Sequence, residues 1–402
     1  MELQQYRIMS SRETQGAEHG LKLRNTILSN RFRTLDLSPV KYVARVHKAP
    51  VQALQIETVE SRYLLAAGAN SNINIFDLDV RPDAKKNDKA VVPSISKIAG
   101  THKFQVSGVN WLPGDTGLFT TGSMDTTVKV WDTNTSECVC TFSLQSKVYS
   151  HALSPVAASH TLIGCGLAEP RVRLCDLRTG GAVHSLTGHQ AAVLSAKWSP
   201  MNEFILATGS VDKSIRFWDI RKARACVFAL DSNNSDRTRP NYMGGVDVTA
   251  HDGIVNGLCF TSDGMYLVST GHDERVRLWD MTSGRNTLTN YGSHLINRVG
   301  QEVCPVVTPV NMCHPPLLYH PSDNRQILVF DMLTGELVKR LRGHFARVGC
   351  VALRSHHQEL YSGGNDHEIL VWTPMKDELP DDFQTTSTRS IQITTKAWSD
   401  DD

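Results

Sequence analysis

The sequence predicts an all-β fold: a single seven-bladed β-propeller over residues 41–375, preceded by a short N-terminal helical arm at 1–40 and followed by an acidic tail at 376–402. Three observations carry this expectation. Four segments repeat one pattern: TTGSMDTTVKVWD (120–132), ATGSVDKSIRFWD (207–219), VSTGHDERVRLWD (268–280) and YSGGNDHEILVWT (361–373). Each has a small hydroxyl residue, a Gly-containing turn, an Asp and an alternating strand that ends in Trp, and a His stands 28 or 29 residues before each of those tryptophans. Three weaker copies fill the intervals: AAGANSNINIFDL (66–78), GCGLAEPRVRLCDL (164–177) and HPSDNRQILVFDM (320–332), which brings the count to seven. Self-similarity at this period is the signature of a repeat architecture, and period-2 alternation closed by one aromatic reads as a half-buried strand.

The elements follow in order. In the arm, Leu21, Leu28, Phe32 and Leu35 fall on one stripe at about 100° per residue, while Leu23 and Ile27 lie on another side. A helix this short is marginal alone and is expected to gain stability by laying its apolar stripe into a groove of a partner protein, the alternative being that it packs on its own propeller. KYVARVHK (41–48) comes next and is expected to supply the outer strand of the last blade, because the chain after Trp372, TPMKDELPDD, is too polar and Pro-interrupted to do so. Pairing the two chain ends in one blade would remove the open sheet edges. The closing positions of successive copies are 55, 44, 43, 61, 51 and 42 residues apart. The long intervals call for insertions, and DVRPDAKKNDKAVVPS (79–94) and DSNNSDRTRPNYMGG (231–245) are polar and turn-rich enough to be surface loops.

Composition narrows the chemistry. The 402 residues are 40% hydrophobic and 21% charged, with a net charge of +1, so no global field favours nucleic acid or a membrane. Residues 1–48 hold nine Lys or Arg against four acids, and residues 376–402 hold three against seven, Asp400, Asp401 and Asp402 among them. No apolar run approaches the length of a membrane span, and the first residues lack the apolar stretch of a secretory signal. Nine scattered cysteines fit reduced, buried thiols of a cytosolic or nuclear protein. The set Cys304, Cys313, His314 and His320 matches no common zinc spacing, and neither a metal nor a cofactor is expected.

The recurring residues are His102, Thr121, Asp125 and Trp131; His189, Thr208, Asp212 and Trp218; His251, Ser269, Asp273 and Trp279; and His344, Ser362, Asp366 and Trp372. Each set has the groups of a hydrolase triad. A triad occurs once, in a cleft; a set that recurs four times with a Trp attached is expected to be structural, its polar groups satisfying one another inside each blade. No Gly-rich phosphate loop follows a strand, and His367-Glu368 lacks the second His of a zinc-protease helix, so the chain is not expected to be an enzyme. The basic residues of the final strands, Lys129, Arg171, Arg173, Arg216, Arg275 and Arg277, would serve DNA binding only if they converged on one face.

These repeats resemble the WD40 family, whose units each build one four-stranded blade. Within the family, LATGSVDKSIRFWDIR (206–221) fits the WDxR box of WD40 substrate receptors of cullin-RING ubiquitin ligases. Beyond the generic repeat, LKLRNTILSNRFRTLDLSP, WLPGDTGLFTTGSMDTTVKVWDTNT (111–135), VYSHALSP (148–155), HDGIVNGLCFTSDG (251–264), NTLTNYG (286–292), QELYSGGNDHEILVW and AWSDDD are similar to the Cockayne syndrome group A family, whereas 293–330 departs from it. The resemblance implies a nuclear, non-catalytic receptor in transcription-coupled nucleotide excision repair. Arg221 and the stripe Leu21, Leu28, Phe32 and Leu35 would dock on the damaged-DNA-binding protein 1 adaptor. The opposite rim would receive the Cockayne syndrome group B remodeller and stalled RNA polymerase II. The alternatives are a propeller that binds damaged DNA directly and a WD40 scaffold with no ligase link.

Overall fold

The computed structural model describes residues 17–79, 90–222, 226–234 and 248–375, with side chains from residue 24 onward. Seven four-stranded antiparallel sheets follow one another along the chain. We number them as blades I (51–98), II (106–143), III (148–187), IV (193–229), V (255–286), VI (306–342) and VII (348–374). Within each blade the chain runs from the inner strand outward, and side chains from facing sheets fill the space between blades. Trp111, Phe119 and Trp131 pack with blade I residues, and Trp198, Leu206 and Trp218 with blade III residues. The chain is a seven-bladed β-propeller, as its repeats predict.

Blade VII is completed from the other end of the chain, by a strand other than the expected one. The strand Leu35–Leu37 pairs with Ile369–Pro374, Leu35 opposite Pro374 and Leu37 opposite Trp372. KYVARVHK does not close this blade: Lys41–Val43 instead pairs in parallel with Ala90–Val92. The closing strand therefore lies inside the segment read as an arm, where the short LDL stretch carries too little alternation to stand out. The insertion expected to be a loop at 79–94 is also partly strand, since Ala90–Val92 and the start of Ser94–Ile98 fall within it. Residues 80–89, most of 231–245 and the whole of 376–402 lie outside the described residues, so those loop and tail expectations do too.

Buried charges clamp the seam between blades VII and I. Lys41 Nζ donates to Glu359 Oε2 at 2.8 Å and to the Leu78 carbonyl at 2.9 Å. Arg354, 2% exposed, donates to the Ser61 carbonyl at 2.5 Å, and Tyr361 Oη donates to Glu359 at 2.7 Å. Lys41 and Arg354 share the Glu359 carboxylate, and backbone carbonyls of Leu78 and Ser61 accept from them as well, which offsets the cost of burying them.

A helix, α1 (Ala17–Arg33), precedes the closing strand. It is built mostly of good helix formers, and Arg31 and Arg33 in its last turn face the negative end of its dipole. It ends at Thr34, whose N–H bonds the Asn30 carbonyl at 2.9 Å before the chain turns into strand. Its root is held by the propeller itself. Phe32 and Leu35 are 0% and 1% exposed among Tyr319, Leu341, Val348 and Trp372. Tyr319 Oη donates to the Phe32 carbonyl at 2.7 Å, and the His314 N–H to Ser29 Oγ at 2.9 Å.

Candidate protein-docking site

The four recurrent polar sets are closed networks. In blade IV, His189 Nδ1 lies 2.8 Å from Asp212 Oδ2 and Nε2 lies 2.8 Å from Thr208 Oγ1, while Trp218 Nε1 donates to Thr208 Oγ1 at 2.7 Å. The sets at His102, His251 and His344 repeat this with every contact between 2.7 and 3.0 Å. Burial pushes each of the four imidazoles below its ordinary pKa, so the rings are neutral. A carboxylate can only accept, so Nδ1–H donates to it; indole N–H can only donate, so the hydroxyl proton goes to Nε2. Burial alone would raise the Asp212 and Asp273 carboxyls, but the hydrogen bonds and charges around them together outweigh it: His189, Ser214 and the Gln190 N–H at Asp212, and His251, Arg277 and the Asp252 N–H at Asp273 hold both well below the usual range.

The same aspartates also shape the turns. Oδ1 of Asp125 and of Asp212 accepts from the N–H two residues on, at 3.1 and 2.9 Å. The residue between, Thr126 or Lys213, then takes the left-handed conformation (φ 69° in both). One Asp thus closes the strand-to-strand turn and orients the imidazole. Hydroxyl, ring and carboxylate are all engaged with one another in each blade interior.

At the other end of blade IV stands Arg221. It follows the third strand, Ile215–Asp219. Its Nε donates to Asp219 Oδ1 at 3.0 Å and its Nη2 to Asp219 Oδ2 at 2.9 Å; its backbone N–H adds a bond to Oδ1 at 3.1 Å. This fork is the main reason the Asp219 carboxyl sits below its ordinary range. The guanidinium stacks 4.4 Å from the centre of the Phe204 ring. Glu203, next in the chain, accepts from the N–H groups of Ala158 and Ser159 at 2.7 and 3.0 Å and so ties this rim to blade III. The expectation of a cation free to fork onto a partner needs correcting in part, because one edge is spent on its own Asp219. The side chain is still 55% exposed, and Nη1 has no hydrogen bond among the described residues. The charge is held rigidly and remains open to a visitor.

Helix α1 leaves the propeller at this same end. Inner strands of neighbouring blades run parallel, as the bridges Gly257 to Val303 and Cys304 to Cys350 show, so all third strands finish on one face. Arg221 follows one of them, and Leu35, just after the helix, pairs with the last residue of another. Of the stripe expected to meet a partner, however, Phe32 and Leu35 are corrected: they are anchors in the chain's own core. Leu28 is half-buried, and the side chain of Leu21 lies outside the described residues.

The basic residues of the final strands are partly committed within the fold. Lys129 Nζ donates to the Thr101 carbonyl at 2.7 Å, Arg277 Nη1 to Asp273 at 2.8 Å, and Arg216 Nε to Ser214 Oγ at 3.3 Å. The central channel, about 540 Å³, holds an ion pair in which the partly exposed Lys197 Nζ lies 3.2 Å from Glu302 Oε1. Among the described residues no group of three or more His, Cys, Asp or Glu could hold a metal ion.

Sequence reasoning missed Phe204 and Glu203. They lie in the turn SPMNEF, outside any periodic pattern, and only the folded rim brings them beside Arg221.

Comparison with known proteins decides the family. Residues 94–132, 180–219, 246–280 and 335–373 match the WD domain, G-beta repeat. The WD repeat-containing protein ATCSA-1 of Arabidopsis thaliana is 33% identical, over 90% of this chain and 95% of that protein. The chain is a WD40 repeat protein. It is also similar to Radiation-sensitive protein 28 of Saccharomyces cerevisiae (29% identical over 44% of this chain and 38% of that one). The guanine nucleotide-binding protein subunit beta of Oryza sativa subsp. japonica is 26% identical over 76% and 64% of the two chains. WD40 propellers are generally non-catalytic scaffolds for protein–protein interaction, and the match to ATCSA-1 runs the length of the propeller.

Proposed function

We propose that this WD40 protein is a non-catalytic substrate receptor. In this reading the third-strand rim, with Arg221 and the exposed part of α1, docks on the damaged-DNA-binding protein 1 adaptor of a cullin-RING ubiquitin ligase. The other rim presents the Cockayne syndrome group B remodeller and stalled RNA polymerase II for ubiquitin transfer during transcription-coupled nucleotide excision repair, in the nucleus. The chemistry belongs to the ligase and its conjugating enzyme, and this chain supplies proximity and specificity.

The observation that carries the reading is Arg221, oriented by Asp219 and Phe204 and still half exposed on the face from which α1 departs. A planar guanidinium fixed in this way can bond a carbonyl or carboxylate of a partner through Nη1 at little further entropic cost. Whole-length similarity to ATCSA-1 and the name of Radiation-sensitive protein 28 agree with a place in repair. The test is a pulldown from nuclear extract with wild type beside Arg221→Glu, read by mass spectrometry. The adaptor and cullin should co-purify with wild type and be lost with the variant, while the two proteins melt within a few degrees of each other. Adaptor capture equal in both, or absent from both, would sink the reading.

A further inference from the structure

The mouth of the channel opposite Arg221 carries an electropositive groove. It is an open depression of about 720 Å³ at the entrances to blades II and III, lined by Lys103, Phe104, Gln105, Lys147 and Tyr149, with Gln301 on its far side. No acidic residue lines it. Neither lysine has an ion pair among the described residues. Three of the nearby carboxylates are committed elsewhere: Asp125 accepts from His102 and from the Lys103 N–H, Glu302 pairs with Lys197, and Asp323 pairs with Arg347. Both lysines are exposed, and neither ammonium has an acidic side chain within ion-pair distance among the described residues.

An aromatic ring lines the same depression on a fixed backbone. Phe104 is 63% exposed, yet its carbonyl accepts from Ser71 Oγ at 2.7 Å and from Ser123 Oγ at 3.3 Å. The backbone of the next residue, Gln105, accepts from the Met124 N–H at 3.1 Å, and the Lys147 carbonyl accepts from the Ala168 N–H at 2.9 Å. An exposed ring held by two hydroxyls from neighbouring blades is presented rather than merely uncovered. Below it the channel narrows between polar side chains of Gln52, Gln105, Tyr149 and Gln301, which can bond a peptide backbone, and Glu302, whose carboxylate pairs with Lys197.

We propose that this groove receives an acidic linear segment of a partner protein that carries an aromatic or long apolar side chain, the carboxylates meeting Lys103 and Lys147 and the apolar group packing on Phe104. The proposal rests on the receptor reading and supplies the chemistry of the substrate-facing rim. Nucleic acid would also meet the lysines, but the near-neutral chain and a single exposed ring favour a peptide.

Fluorescence anisotropy of the full chain tests it. The probe is a short labelled peptide rich in Asp and Glu with a central Trp. Its controls are the same peptide with Lys in place of each acid, and a single-stranded oligothymidylate. The acidic peptide should bind, weaken with added salt, and lose about tenfold in affinity with Lys103→Glu combined with Lys147→Glu. Phe104→Ala should also weaken it, and wild-type melting temperature should be retained because all three side chains are exposed. Equal binding of the Lys peptide, tighter binding of the oligothymidylate, or no loss in the double variant would overturn the proposal. Arg221→Glu should leave peptide affinity within about twofold. Loss of adaptor capture with peptide discrimination intact would remove the receptor reading alone; the reverse pattern would remove the groove alone.

Discussion

A single hydroxyl shows how these residues divide their work. Thr208 is fully buried and serves two partners at once, taking the Trp218 N–H and giving its own proton to His189. Thr208→Val keeps the shape and strands both partners. Each buried polar group left unsatisfied costs about 1–3 kcal/mol, so the expected loss is about 2–5 kcal/mol in chemical unfolding, with the fold otherwise kept. A loss below about 1 kcal/mol would show that the network carries no net stability. Arg221 differs in kind. Its pair with Asp219 is half exposed, and such pairs add little to stability, so its replacement is expected to register in binding and hardly in stability. The hydroxyl-His-Asp-Trp pattern was fully legible, because four copies at one spacing admit no single catalytic centre. The Asp219 fork was not, since nothing in the letters WDIR says whether the arginine turns back or outward.

Helix α1 is one element with two roles along its length. Its last turn belongs to the propeller core through Phe32, while Leu28, a turn earlier, is only half-buried. The two positions should therefore separate experimentally. Phe32→Ala removes a fully buried ring and should cost about 3–5 kcal/mol of propeller stability. Leu28→Glu should cost less than about 1 kcal/mol and should reduce capture of the adaptor. If Phe32→Ala melts like wild type, or Leu28→Glu unfolds the chain, the division is wrong. Helical periodicity placed Leu28, Phe32 and Leu35 on one stripe correctly, but an apolar stripe carries no label for the surface it meets. The closing strand was misassigned for a related reason: three residues are too few to show alternation, and the strand they pair with, Ile369–Pro374, lies at the far end of the sequence.

The whole ring should respond to acid through histidines outside the four recurrent sets. Burial pushes His47 and His320 down to about 4 from an ordinary value of 6.5. The unfolded chain therefore binds protons that the native propeller refuses. Stability from these groups is complete above pH 6.5 and falls as the pH drops toward 4. At pH 5 each should contribute about 2 kcal/mol less than at pH 7.5. The buried carboxylates act in a separate, lower window: the depressed Asp212 and Asp273 add stability that is lost only as pH falls below the ordinary carboxylate value near 3.8. Urea unfolding at pH 7.5, 6.5 and 5 checks the sign, and a propeller as stable at pH 5 as at 7.5 would contradict it.

Repeat count, the blade architecture and the recurring polar sets with their tryptophans could be read from the chain alone. They are local patterns of hydrogen-bonding and apolar residues, and repetition makes each copy a control for the others. Tertiary structure alone decided which segment closes the ring, which half of the helix stays available, which carboxylate holds Arg221, and where unpaired lysines gather around Phe104. Each of these depends on residues far apart in sequence meeting across blades, and no spacing rule encodes the curvature that brings them together.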